Sequence, residues 1–183
     1  ETIKKEIRRC LKSSNIDTFL SSVLDRYEKD YGSLLIRKSL LLLAISDKGF
    51  DEGEIRDLIN DDLSRFVGDD SMDCVIPTLE WSQFYCVFKN NFSVREGGLL
   101  GFSHQLMRDA VLKKYALENN KELVLPLRKQ IAEYFQNENS PRAYLELRHQ
   151  YHELGMHEQL HKLICRPEVY YWMLVNCKKL LID

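Results

Sequence analysis

Only one stretch of this chain asks for β-structure, and everything around it asks for helix. In "SVREGGLLGFS", Ser93 to Ser103, apolar residues flank Glu96-Gly97-Gly98, the pattern of a tight β-hairpin. Two strands alone cannot bury a face, so such a ribbon must lean on the helices beside it. The constraint points to a mainly α fold carrying one small β-hairpin.

The helices before the ribbon follow from apolar spacing. Ile3, Ile7 and Leu11 recur every four residues in "ETIKKEIRRCLKSS", predicting a short helix with a basic outer face. Asn15 or Asp17 is a candidate cap for "IDTFLSSVLDRYEKDYG", whose Phe19, Leu20, Val23, Leu24 and Tyr27 share one side. "SLLIRKSLLLLAIS" is apolar almost all round, and its length and leucine excess make it a central helix, which Gly49 is expected to stop. Asp51 and Glu54 form a capping-box pair ahead of "EGEIRDLIN". Residues 60–75 are acidic and rich in turn formers, so an exposed loop with at most a short helical turn is expected there. Pro77 and Thr78 introduce a further helix, "LEWSQFYCVFKNNF", with Trp81, Phe84, Tyr85 and Phe88 on one side.

After His104 everything reads as helix. "HQLMRDAVLKKYAL" carries Met107, Ala110, Val111 and Tyr115, and "ELVLPLRKQIAEYF" carries Leu123, Leu127, Ile131 and Phe135, with Pro126 near its first turn. "PRAYLELRHQYHELG" opens on Pro141 and closes on Gly155; "HEQLHKLICR" and "PEVYYWMLVNCKKLLI" follow across short joints. Short joints between amphipathic helices imply antiparallel neighbours, as in a helical array. Tetratricopeptide spacing fits no stretch. The boundary between the two halves is placed near Asn119-Lys121 or Asn137-Ser140.

Composition narrows the classes of function. The chain has 183 residues, 44% of them hydrophobic and 30% charged, with a formal net charge of −2. No overall positive field gathers nucleic acid or anionic lipid. The five cysteines include no Cys-x-x-Cys pair and read as reduced thiols, mostly packed as small hydrophobes, in a cytoplasmic protein. No signal-peptide pattern is read in these residues, and the longest apolar run is too short to span a bilayer. Opening at Glu1 without Met, the chain is expected to be a piece of a larger polypeptide.

Candidate chemistry is sparse. His149 with His152, and His157 with His161 and Cys165, have one-turn spacing that could hold a metal. Without His-Glu-x-x-His, and with Gly155 separating the pairs, the reading is no metal site. "GFSHQ" has Gln105 where a nucleophile elbow needs glycine. No phosphate-binding glycine loop occurs, so the chain is read as no enzyme by itself and as holding no cofactor of its own. The helix ahead of the ribbon offers aromatics, Glu80 and a single basic residue, Lys89, which argues against DNA in the major groove.

Helix, helix, helix and ribbon, in that order, spell a winged helix, and the motifs around it resemble the region after the nucleotide-binding domain of STAND-class signalling ATPases, the NACHT and apoptotic-ATPase group. "LLLLAISDKGFDEGEIRDLIN" looks like their winged-helix opening. "FSHQLMRDAV" is similar to their Met-His-Asp motif: His104, Leu106, Arg108 and Asp109 match, while Ser103 stands for the methionine and Gln105 for the aspartate. "YLELRHQYHELGMHEQLHKLICRPEVYYWML" resembles the helical segment of nephrocystin-like and telomerase-associated members. The likeness runs from about Ile16 to Leu174. It implies residues 1–32 as a helical joint to a preceding nucleotide-binding domain, 33–119 as a winged helix and 120–183 as an α-helical, repeat-like segment. It also implies a function: a regulatory module that couples the nucleotide state of an absent ATPase domain to oligomerisation or partner binding. His104 would sense the β-phosphate of ADP, supported by Arg108, with ADP and ATP bound in the parent protein. The expected partners are that nucleotide domain and protein partners or further copies, with neither nucleic acid nor membrane. Trp81, Phe84, Tyr85 and Phe88, and the C-terminal "VYYWML", are expected to carry domain contacts. The alternatives are an interaction scaffold without nucleotide sensing and a winged-helix DNA binder.

Overall fold

The computed structural model describes residues 15–67, 78–118 and 121–177. The protein is mainly helical, with one small two-stranded antiparallel sheet. The described residues fall into two compact units: one holds residues up to Ala44 together with Gly49–Leu123, the other Ile45–Lys48 together with Val124 onward. The basic helix expected at the start of the chain lies outside the described residues.

The first unit is built around α2 (Ser33–Ile45), whose Ile36, Leu40 and Leu42 are fully buried. A helix apolar on every side has to sit in the middle of a core. Before it runs α1 (Ile16–Tyr31), where the Asn15 side chain accepts the Asp17 N–H at 3.3 Å and thereby caps the helix. Ile16–Tyr31 belongs to the same compact unit as α2.

The expected stop at Gly49 is corrected. Helix α2 ends at Ile45, and Gly49 performs a different task. Its φ is +94°, and a Cβ there would lie 2.0 Å from the Leu100 carbonyl oxygen. Only glycine allows Phe50 to pair with Leu100, through N–H···O bonds of 3.2 and 2.8 Å.

The capping box forms as read: the Glu54 N–H donates to Asp51 Oδ1 and the Asp51 N–H to Glu54 Oε2, each at 2.8 Å. Helix α3 (Glu52–Val67) then runs well into the region expected to be loop, so that reading is corrected for residues 60–67. The remainder of that expected loop, with Pro77, lies outside the described residues. Low helix propensity at Asn60-Asp61-Asp62 is a weak penalty that a helix already nucleated by a good cap can carry.

Helix α4 (Thr78–Phe88) leads through a 3₁₀ turn to the ribbon, β1 (Phe92–Val94) and β2 (Leu100–Phe102). The strands pair Phe92 with Phe102 and Val94 with Leu100, and the turn uses positive φ at Gly97 (79°) and Gly98 (80°). An aromatic chain fastens the ribbon to the helices: Tyr27–Phe88 at 4.4 Å, Phe88–Phe92 at 5.8 Å and Phe92–Phe102 at 6.0 Å between centroids. Such pairs add about 0.5–1.5 kcal/mol each beyond the area they bury. Helix α5 (Gln105–Leu112) follows and widens into an unforeseen π-helical segment, Lys113–Glu118.

In the second unit, α6 (Lys121–Phe135) accommodates Pro126 inside its length. Ser140 caps α7 (Pro141–Glu153), its Oγ accepting the Ala143 N–H at 3.1 Å, with Pro141 in the first turn. Gly155 at φ 67° turns the chain into α8 (His157–Ile164), and α9 (Pro167–Cys177) packs on both α7 and α8. Ile131, Phe135, Leu147, Leu163 and Val169 form this unit's core.

Candidate functional site

Strand β2 ends where the Ser103 N–H donates to the Asn91 carbonyl at 2.9 Å. The next residue, His104, keeps extended backbone (φ −130°, ψ 129°) and becomes the N-cap of α5. Buried Phe102 on one side and buried Met107 on the other anchor the chain, so the residues between them face solvent. His104 caps through its backbone, its carbonyl accepting the Met107 N–H at 3.1 Å, while its ring makes no capping bond. No acid occupies the first turn of α5, so the partial positive charge of the helix end has no carboxylate there to offset it. An exposed imidazole thus stands at a helix N-terminus with no acid in its first turn, an arrangement that suits an anionic oxygen.

The other residues of the His104 stretch divide. Asp109 accepts from Gln105 Nε2 at 2.8 Å along the exposed side of α5. Arg108 does not accompany the imidazole: its Nε donates to the Ala44 carbonyl at 2.9 Å. A cation on a terminal carbonyl of α2 offsets the negative end of that helix dipole, so Arg108 is a structural clamp on α2.

The aromatic residues expected to carry domain contacts, as surfaces or cores, lie largely in the core of the first unit. Trp81 is 3% exposed and Phe84 and Phe88 are fully buried, all inside the first unit's own core, while Tyr85 is half-buried. Trp81 Nε1 also donates to Glu52 Oε2 at 3.0 Å. A ring enclosed by its own fold has no face left for a partner. The outward side of α4 presents Glu80, Ser82, Gln83 and Cys86, followed by Lys89 and Asn90. One cation there is balanced by one acid, far short of what phosphate neutralisation needs.

Two polar networks escaped the reading of the sequence. In the first unit a groove of about 340 Å³ runs between α1 and the α5–π segment, lined by Asp17, Ser21, Asp25, Lys113 and Lys114 among others. The Lys114 side chain is 8% exposed; it donates to Ser21 O at 2.9 Å and pairs with Asp25 at 2.5 Å, while Lys113 pairs with Asp17 at 3.0 Å. Beside it, Tyr115 donates to Glu28, which also receives Arg37 at 2.6 Å; burial first, and then this bond, raise the tyrosine's pKa. The groove's ammonium groups are held by carboxylates, which makes it a tether between helices.

In the second unit the Ile45–Lys48 strap is gripped by α6 and α7. The Ile45 carbonyl accepts from Arg128 Nη1 at 3.3 Å and Gln150 Nε2 at 3.1 Å, and His149 Nε2 lies 3.2 Å from it. Glu146, 1% exposed, accepts the Asp47 N–H at 3.2 Å and Gln150 Nε2 at 2.7 Å. Burial pushes the Glu146 carboxyl above its usual range, and burial with Arg128 nearby pushes His149 below its own. His149 is thereby held toward its neutral form and bonded to backbone. His157 and His161 sit on the next helix, as the Gly155 break requires. No group of three or more metal-ligating side chains occurs among the described residues. Cys86 and Cys165 are exposed free thiols, so the expectation of packed cysteines fails at these two positions. No helix among the described residues is long and apolar enough to cross a membrane.

Comparison with protein-family models, curated proteins and solved structures gives no match for this chain.

Proposed function

We propose that the chain is the regulatory module of a STAND-type signalling ATPase, in which residues 33–119 act as a winged helix and His104 senses nucleotide. The observation that supports this is the exposed His104 ring at the base of the ribbon, beside an α5 N-terminus with no acid in its first turn. In this reading the imidazole donates to a phosphate oxygen of ADP held by the nucleotide-binding domain of the same polypeptide, and the first-turn N–H groups of α5 add their partial charge. When ADP is exchanged for ATP the contact is lost, the balance between two arrangements shifts, and the module is released toward oligomerisation or partner binding. Arg108 serves the sensor from behind, by fixing α5 against the end of α2. This places the working protein in the cytoplasm, with ADP and ATP as ligands of the parent.

The test uses a polypeptide carrying the preceding nucleotide domain and the substitution His104→Ala. Loss of co-purifying ADP together with assembly that no longer waits for exchange is the expected result. Unchanged nucleotide retention and unchanged assembly would overturn the sensor. The rival is then an interaction scaffold, favoured by the apolar outer side of α9. A winged-helix DNA binder is favoured by nothing on α4.

A further inference from the structure

We infer that the hold of α6 and α7 on the Ile45–Lys48 strap is a pH-sensitive clamp, closed while the His149 ring is neutral and loosened when that ring gains a proton. The inference stands apart from the nucleotide reading. Ile45 is the last residue of α2, so its carbonyl has no N–H of its own helix to accept. Three side chains converge on it instead: Gln150 Nε2 at 3.1 Å, His149 Nε2 at 3.2 Å and Arg128 Nη1 at 3.3 Å. A carbonyl oxygen only accepts, so a neutral His149 carries its hydrogen on Nε2, and the nitrogen left to titrate is Nδ1.

Protonation at Nδ1 leaves that bond in place but sets a second full positive charge against an oxygen that the Arg128 guanidinium already faces. The two cations would stand closer than about 7 Å. The acids within reach are committed elsewhere. Glu153 holds Arg128 Nη2 at 3.2 Å, Asp47 lies 3.7 Å from Lys48 Nζ, and buried Glu146 accepts the Asp47 N–H and Gln150 Nε2. The charged groups that face the ring are Arg128 from α6, Asp47 from the strap and Glu153 from α7 itself; burial and Arg128 together outweigh the two acids. With its pKa lowered from the ordinary 6.5, His149 gives the clamp stability that is complete above that value and is lost as pH falls below it. Glu146, which faces Arg142 and Asp47, acts in the opposite sense. Burial raises its pKa, so its contribution is complete below the ordinary 4.5 and is lost as pH rises.

Amide hydrogen exchange of the intact chain, followed by NMR and expressed as protection factors, tests this. Between about pH 7.5 and 5.5 the protection of the Asp47 backbone amide should fall several-fold, and by no more than about tenfold, the limit set by a released ring that titrates near 6.5. Glu146→Gln keeps an oxygen for the Asp47 N–H and removes the opposing titration, so its protection should fall at least as steeply. His149→Gln places a neutral amide donor where Nε2 stands, and its protection should stay flat. At the upper pH the ring nitrogens of the parent should report the Nε2–H tautomer. Flat protection in both the parent and Glu146→Gln, an equal fall in His149→Gln, or an Nδ1–H tautomer in the parent each overturns the clamp. The tautomer is read without any substitution, so a variant that fails to fold does not shield the clamp from refutation.

Discussion

His104 and Arg108 lie four positions apart, yet the two side chains make opposite commitments. Arg108 gives its Nε to the Ala44 carbonyl, while the His104 ring is exposed and leaves the capping of α5 to its backbone. Arg108→Ala should therefore destabilise the first unit by about 1–2 kcal/mol, the worth of a charge-assisted bond on a helix end. His104→Ala should stay within about 0.5 kcal/mol of the parent, as exposed substitutions do. Urea unfolding midpoints decide between them: equal losses would make the imidazole structural and remove it as a sensor. The position of His104 at the end of the ribbon was legible because ribbon and helix start are written within a dozen neighbouring residues. The partner of Arg108 was not, because it lies 64 residues away in the chain and no local pattern records it. The same holds for Trp81, Phe84 and Phe88, whose spacing marks an apolar face but cannot tell whether this chain or another covers it.

Among the elements, the ribbon shows how one residue type can serve two physical purposes. Gly97 and Gly98 adopt positive φ in an open turn, with nothing within 4 Å of where a Cβ would stand. Gly49 also has positive φ, but its missing Cβ is what lets Phe50 reach Leu100. Gly97→Ala should cost about 1–2 kcal/mol, the conformational penalty alone. Gly49→Ala should cost more, because backbone must move as well and two hydrogen bonds go with it. Thermal unfolding gives the order, and hydrogen exchange at the Leu100 amide should quicken only in the Gly49 variant. A larger loss at Gly97 would mean that the turn, and not the Phe50 bridge, holds the ribbon in place. The caps at Asn15 and Asp51 could be read directly, since a cap is a matter of residues two or three apart. The extension of α3 to Val67 and the π segment at Lys113–Glu118 could not. Both run against or beyond local preference and depend on what packs around them.

At the scale of the molecule, the second unit is not continuous in sequence. It takes Ile45–Lys48 from a point some eighty residues before its main body begins at Val124. Neither boundary expected from the sequence, near Asn119-Lys121 or near Asn137-Ser140, contains a hint of this strap, whose bonds to Glu146, His149 and Gln150 span 99 to 105 residues. Gln150 is fully buried, and its amide donates to both the Ile45 carbonyl and Glu146. Removing the strap would strip Gln150 and Glu146 of backbone partners in an apolar setting, at about 1–3 kcal/mol for each group left unsatisfied. A fragment of residues 124–177 should therefore show lower helicity and faster amide exchange in α7 than the same residues in the intact chain. A fragment of residues 16–123 retains the first unit's aromatic core and should keep its protection in α2. Exchange rates read by mass spectrometry on the two fragments and the whole chain distinguish the cases. Equal protection of α7 with and without Ile45–Lys48 would show that the helices from α6 onward stand without the strap, and that its four residues are a connection and not a brace.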